Sequence, residues 1–343
     1  MNFGAVPIDE AVGGIAVHSV RRPRLLVSKG ERITSDHVER LRDAGIDAIV
    51  VAQLEIGDVD EDSAAQRLAL AFAATHIRVQ RPFTGRANLF ATCAGLLSVN
   101  TAALNDTNEI DERLTIATLA PWRRVAAGEM VATVKVIPFA VPDVLLRQVA
   151  ACAARAPLRV AAFSAQRVGV ISTLLPGLKT AVIDKTLRVL EQRLAPAGAV
   201  IVQQLRVPHE TAAVAVALEQ CAPHCDILIV FGASAIADRR DVIPAALARM
   251  GGEIEQLGMP VDPGNLLLVG RLWTQQRRVP VLGAPGCARS PKENGFDWVL
   301  HRLLAGIEVS SRDIRQMGAG GLLTEVVQRG LPREGPRTAS EDR

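Results

Sequence analysis

Residues 226–247, DILIVFGASAIADRRDVIPAAL, place an apolar run, a small-residue corner and a cluster of charges in immediate succession. Gly232-Ala233-Ser234-Ala235 makes the corner, Asp238-Arg239-Arg240-Asp241 the charges, and Pro244 follows where a helix would begin. Small side chains let backbone N–H groups approach an anion closely, and a helix starting just beyond adds its positive end. Arg240 beside such a corner is suited to clamp the anion. Asp241 is suited to cap the helix, to hold a hard cation, or both. The chemistry implied is recognition of a phosphorylated ligand.

Three further corners have the same character: Ser172-Thr173-Leu174-Leu175-Pro176-Gly177, Asp262-Pro263-Gly264-Asn265, and Gly283-Ala284-Pro285-Gly286-Cys287. Singly, each is ordinary turn chemistry. Jointly they matter, because open α/β sheets bind ligands beyond the carboxyl ends of their strands.

The elements around them fit that arrangement. Apolar strands are expected in LRVAAFSAQRVGVISTL, AVIVQQLRV, DILIVFG and RVPVLGAP. Between them, Ile183, Leu187, Leu190 and Leu194 recur at helical spacing, HETAAVAVALEQ and DVIPAALARMGG read as helices, and NGFDWVLHRLLAG follows as another. The alternation predicts an α/β fold: a doubly wound, mostly parallel sheet in a three-layer α/β/α domain over residues 158–330. Residues 1–55 read as a small α/β unit with a helix in TSDHVERLRDAG and a buried strand in IDAIVVAQL. Residues 56–157 mix helical and β patterns without an evident role, and the polar, Pro/Gly-rich residues 331–343 read as a disordered tail.

Composition narrows the function. Hydrophobic residues make up 49% of the 343, aromatics only 3% with no Tyr, so the cores must be aliphatic. A formal charge of +3 predicts no strong field over nucleic acid or anionic lipid. No apolar run approaches the ~18 residues of a membrane span, and the N-terminus lacks a secretory pattern, so a cytoplasmic protein is expected. Five cysteines at unrepeated spacings suggest neither a disulfide framework nor a zinc knuckle. Cys221, His224 and Cys225 share one short loop without an obvious fourth ligand, so buried thiols are the reading there.

The stretch DILIVFGASAIADRRDVIPAALARMGG, with RVGVISTLLPG, VIDKTLRVLEQRLAPAGAVIV, VDPGN and LGAPGCARS, resembles the molybdopterin-binding domain of molybdenum cofactor biosynthesis over roughly residues 165–306. That domain occurs in molybdopterin adenylyltransferase and in the centre of molybdopterin molybdenumtransferase, whose N-terminal segment the opening of this chain also resembles. The resemblance implies molybdopterin as ligand and Mg²⁺ held by carboxylates. It implies Asp184 and Asp241 as catalytic acids, with Asp241 facing the metal. Ligand contacts would come from Ser172, Thr173, Gly232, Ala233, Ser234, Ala235, Arg240, Pro263, Gly264, Asn265, Pro285, Gly286, Cys287 and Ser290. It further implies a homo-oligomer and a molybdoenzyme or maturation partner.

The chain departs from the family pattern at the site. Ala233 stands where the family has a second Gly, His209 where the adenylyltransferases have an acid, and Cys287-Ala288 where Asn-Pro is usual. Imidazole substitutes poorly for an oxygen ligand of Mg²⁺. Three functions follow in order of support: a binder or carrier of molybdopterin or its molybdenum cofactor, an active adenylyl- or molybdenumtransferase, and a nucleotide-handling or structural protein on the same fold.

Overall fold

The computed structural model describes residues 1–323 except 24, 178, 179 and 276. The expected disordered tail at 331–343 lies outside the described residues. The chain divides into two compact units, Met1–Ala162 and Phe163–Arg343.

Within the first unit, one core gathers residues from the first ~50 positions. Strand Asn2–Pro7 pairs antiparallel with Ala48–Gln53, and Ile15–Ala16 pairs on that strand's other side. Helix Ser35–Asp43 is capped by Thr34, whose hydroxyl accepts the His37 N–H at 3.3 Å, and it buries Val38 and Leu41 as their spacing predicts. A second core is built on a four-stranded antiparallel sheet of Ile77–Val79, Arg86–Ala91, Leu114–Thr118 and Met130–Val136. Helices Glu61–Phe72 and Asp143–Ala153 pack there through Leu68, Phe72, Leu146 and Val149. Strand Asn2–Pro7 is an addition to the sequence reading: its alternating exposure leaves too little apolar signal to mark it.

In the second unit the elements follow in chain order. They are β1 (Arg167–Leu174), α1 (Thr180–Leu194), β2 (Val200–Pro208), α2 (Thr211–Cys221), β3 (Ile227–Phe231), α3 (Val242–Arg249), β4 (Glu253–Leu257), β5 (Leu268–Trp273), β6 (Arg278–Ala284) and α4 (Gly295–Leu304). They form a six-stranded sheet in the order β2-β1-β3-β6-β5-β4. The pairs β1–β2, β1–β3 and β3–β6 are parallel, whereas β5 runs antiparallel between β6 and β4. β4 and β5 are again additions. Glu253, Glu255 and Gln256 break the apolar run of β4, whose residues are partly exposed, whereas in β5 Gly270 is buried where a Cβ would stand 2.4 Å from Leu247 Cδ2.

β3 shows why its sequence is wholly apolar. Successive side chains point to opposite faces, and both faces are covered. Ile227, Ile229 and Phe231 join Ile183, Leu187 and Leu190 of α1 and Phe296, Val299 and Leu300 of α4. Leu228 and Val230 join Val214 and Leu218 of α2 and Ile243 and Leu247 of α3.

Candidate functional site

The register of the sheet lines up the strand ends. Arg206 stands opposite Ser172, Ser172 opposite Phe231, and Phe231 opposite Ala284. The carboxyl ends of β1, β2, β3 and β6 therefore share one edge of the domain. Since Leu268 at the start of β5 lies opposite Gly283, the preceding turn, residues 262–265, reaches that same end.

Thr173 is buried, and its hydroxyl oxygen accepts the Ala233 N–H at 2.7 Å. The same oxygen lies 2.8 Å from Nδ1 of His209, the residue after β2. On the other side of the Gly232–Ala233 peptide, the Gly232 carbonyl accepts from Arg289 Nη2 at 2.9 Å. Arg289 also donates from Nη1 to Thr186 Oγ1 of α1 at 3.1 Å, and its guanidinium sits 5.5 Å from the centre of the Phe231 ring. Gly232 has no room for a side chain: a Cβ would stand 2.6 Å from the Ser234 carbonyl oxygen and 3.1 Å from Ile243 Cδ1. Ser234 and Ala235 are exposed beyond it, and their amides make no hydrogen bond among the described residues.

The final loop is tied down separately. Arg193 and Asp297 form a buried ion pair, and Arg193 donates further to the carbonyls of Ala288 at 2.8 Å and Ser290 at 2.7 Å. Asn294, also buried, caps α4 through the Phe296 N–H and donates to the Lys292 carbonyl at 3.0 Å. Pro285 starts the short turn Gly286–Arg289, in which Gly286 is exposed. Burial pushes the Cys287 thiol up from its ordinary value, which makes it a poor nucleophile. The 262–265 turn docks against the start of α4. Pro263 accepts the Gly295 N–H at 2.9 Å, and Gly264 adopts φ +143°, with the place of a Cβ 2.8 Å from the Gly295 nitrogen. The Asn265 carbonyl accepts the Met259 N–H at 2.9 Å.

Thr173, Gly232 and Ala233 thus meet directly, and Arg289 links them to the loop carrying Pro285, Gly286, Cys287 and Ser290. Ser172 is buried inside β1 and contributes to the sheet. The acids are occupied elsewhere. Asp184 accepts from Arg206 at 2.6 Å. Asp241 occupies the N-cap position of α3, but the expected cap bond is not made. Its carboxylate accepts the N–H groups of Ala237 at 2.6 Å and Asp238 at 2.9 Å instead, because the turn at 238–241 presents those amides to it. These bonds, Ala237's first, hold the Asp241 carboxyl below its ordinary value. Arg240 pairs with Asp238 at 2.7 Å, and its side chain is 91% exposed, so it faces solvent rather than the corner.

Neither Arg289 nor Thr186 was marked by sequence. The available signal was a basic residue closing the Gly-Ala-Pro-Gly-Cys-Ala-Arg turn, but nothing local shows that it reaches Gly232. At the Cys221–Cys225 loop both thiols are buried, with Cys221 pushed up to about 11, as the thiol reading expects.

A donor set for Mg²⁺ does not fit. Asp241 spends Oδ2 on two amides, Asp184 is paired, His209 offers nitrogen, and among the described residues no cluster of three or more His, Cys, Asp or Glu could hold a metal ion.

Residues 169–305 match a family described as "Probable molybdopterin binding domain", and residues 5–53 match one described as a domain of unknown function. No curated protein matches the chain. Among solved structures, the tungsten cofactor synthesizing protein MoaB from Pyrococcus furiosus is similar at 18% identity and a TM-score of 0.29, covering 40% of this chain and 91% of that one. The molybdopterin biosynthesis MoeA protein from Pyrococcus horikosii is similar at 14% identity and a TM-score of 0.31, covering 89% of this chain and 75% of that one. The assignment rests on the family match: over residues 169–305 this chain carries a domain of the molybdopterin-binding family of molybdenum cofactor biosynthesis.

Proposed function

We propose that the chain binds molybdopterin, or the molybdenum cofactor formed from it, and presents it during cofactor biosynthesis or delivery. One observation carries this reading: the ends of four parallel strands bring the exposed residues Ser234 and Ala235, whose amides make no hydrogen bond among the described residues, to the same corner as the Arg289 guanidinium. Open backbone donors with a fixed cation form a receptor for a phosphate. Helices on both faces of the sheet support reading the domain as the doubly wound three-layer form. A carrier is favoured over a transferase because Asp184 and Asp241, the acids such chemistry would use, are already engaged. The reading includes a homo-oligomer in the cytoplasm that hands its ligand to a molybdoenzyme or maturation partner. No helix among the described residues is long and apolar enough to cross a membrane.

The full chain, purified under anaerobic conditions and then oxidised, should release a fluorescent pterin in near-stoichiometric amount. Absence of pterin from such preparations, with no uptake of added molybdopterin, rejects the proposal. Incubation with molybdopterin, ATP and Mg²⁺ separates storage from transfer: adenylylated product would move the assignment to the enzyme.

A further inference from the structure

We propose that this site holds its anionic ligand without a divalent cation, and that Arg289 supplies the countercharge. The inference rests on the phosphorylated-ligand reading above and specifies how that ligand is neutralised.

Two arginines serve the final loop and differ in kind. Arg193 is neutralised by Asp297 beside it. Arg289 has no carboxylate within ion-pair distance among the described residues; its partners are a hydroxyl and a carbonyl. A guanidinium carries five N–H donors, so two bonds leave the fork far from saturated. It stays charged even where burial weakens its hold on the proton. Burial has that effect on Arg289, which lies against the Phe231 ring. A half-buried cation without an anion carries a desolvation cost that an arriving phosphate would offset.

The position is equally specific. Arg289 holds the carbonyl of the peptide whose N–H is held by Thr173, and the amides of Ser234 and Ala235 follow within the next two residues. Guanidinium and amides would therefore face the same phosphate oxygens. The acids available to a metal are already engaged: Asp241 through Oδ2 with the amides at 237 and 238, Asp184 with Arg206, and Asp238 with Arg240. A cation built into the chain thus stands at the corner itself.

The test compares the full chain with Arg289→Met and Arg289→Lys, each in EDTA and in Mg²⁺. Two probes are used: the pterin retained on purification, and inorganic phosphate titrated calorimetrically. Expected are equal binding in EDTA and Mg²⁺, a loss on the order of tenfold or more in Arg289→Met, and partial retention in Arg289→Lys with an unchanged thermal midpoint. Binding that EDTA abolishes and Mg²⁺ restores overturns the proposal. So does Arg289→Met binding phosphate as the parent does, or a parent that binds no phosphate in either buffer. Should Arg289→Met unfold, the Arg289→Lys variant and the EDTA comparison decide alone. A chain that binds phosphate through Arg289 yet carries no pterin would sink the molybdopterin reading and leave this one standing.

Discussion

Thr173 and Arg289 hold opposite ends of one peptide group: Thr173 accepts its N–H and Arg289 donates to its carbonyl. The residues lie 116 positions apart in sequence, on β1 and just after β6. Their shared hold fixes the corner after β3, and the next two amides make no hydrogen bond among the described residues. A peptide fixed from both sides need not reorganise when a ligand arrives, so less binding energy is lost to ordering.

Thr173→Val keeps the shape of the side chain and removes its acceptor. The Ala233 N–H then loses its partner in a half-buried setting, and a stability loss of about 1–3 kcal/mol is expected. Amide exchange at Ala233 should quicken, while Thr173→Ser should stay near the parent. Equal exchange in Thr173→Val and the parent would show that the bond does not anchor the corner.

Gly232→Ala introduces a Cβ 2.6 Å from the Ser234 carbonyl oxygen, a contact no backbone accepts without moving. Overpacking of this kind costs about 1–3 kcal/mol. Phosphate affinity should fall along with the urea midpoint. A fully stable variant with undiminished phosphate affinity would mean that the corner is softer than its contacts indicate.

Arg193→Met strands the buried Asp297 carboxylate and the carbonyls of Ala288 and Ser290. Breaking one half of a buried pair costs about 3–5 kcal/mol. Adding Asp297→Leu should recover a large part of that loss, measured by chemical denaturation of all three variants. No recovery in the double variant would point to the carbonyl contacts and to the Asn294 N–H that Asp297 accepts at 2.9 Å, not the ion pair, as the important part.

Asp226 sets an acid limit. Arg167, through its side chain first and then its backbone N–H, together with Arg277, holds this carboxyl far below the ordinary 3.8. A depressed value in the fold means the stabilisation is complete above the unfolded value and is lost as pH falls through and below it. The denaturation midpoint should be flat from pH 7 to about 5 and then drop. Asp226→Asn should be less stable at neutral pH and show a shallower drop. Asp111, held down to about 2 chiefly by Arg113, contributes with the same sign within residues 1–162, so the slopes are compared between variants. Identical slopes would remove Asp226 from the account.

Much of the second unit was legible because burial on both faces leaves a local trace. The uninterrupted apolar run of β3 and the spacing of Ile183, Leu187, Leu190 and Leu194 follow directly from being covered. β4 left a weaker trace, since partial cover tolerates Glu253 and Glu255, and in β5 close packing against Leu247 requires Gly270 inside the apolar run. The role of Asp241 was half legible. Its type and place indicated the start of α3, but the direction of its hydrogen bonds depends on the turn before it.

From sequence alone came the α/β class, the small-residue corners and the family they resemble, because each is written in neighbouring residues. Tertiary structure alone decided which corners meet, that Arg289 reaches Gly232, and that Asp184 pairs with Arg206. Such partnerships join residues tens to over a hundred positions apart, and the order in which distant strands pair, which no single segment states, determines which of them come within hydrogen-bonding reach.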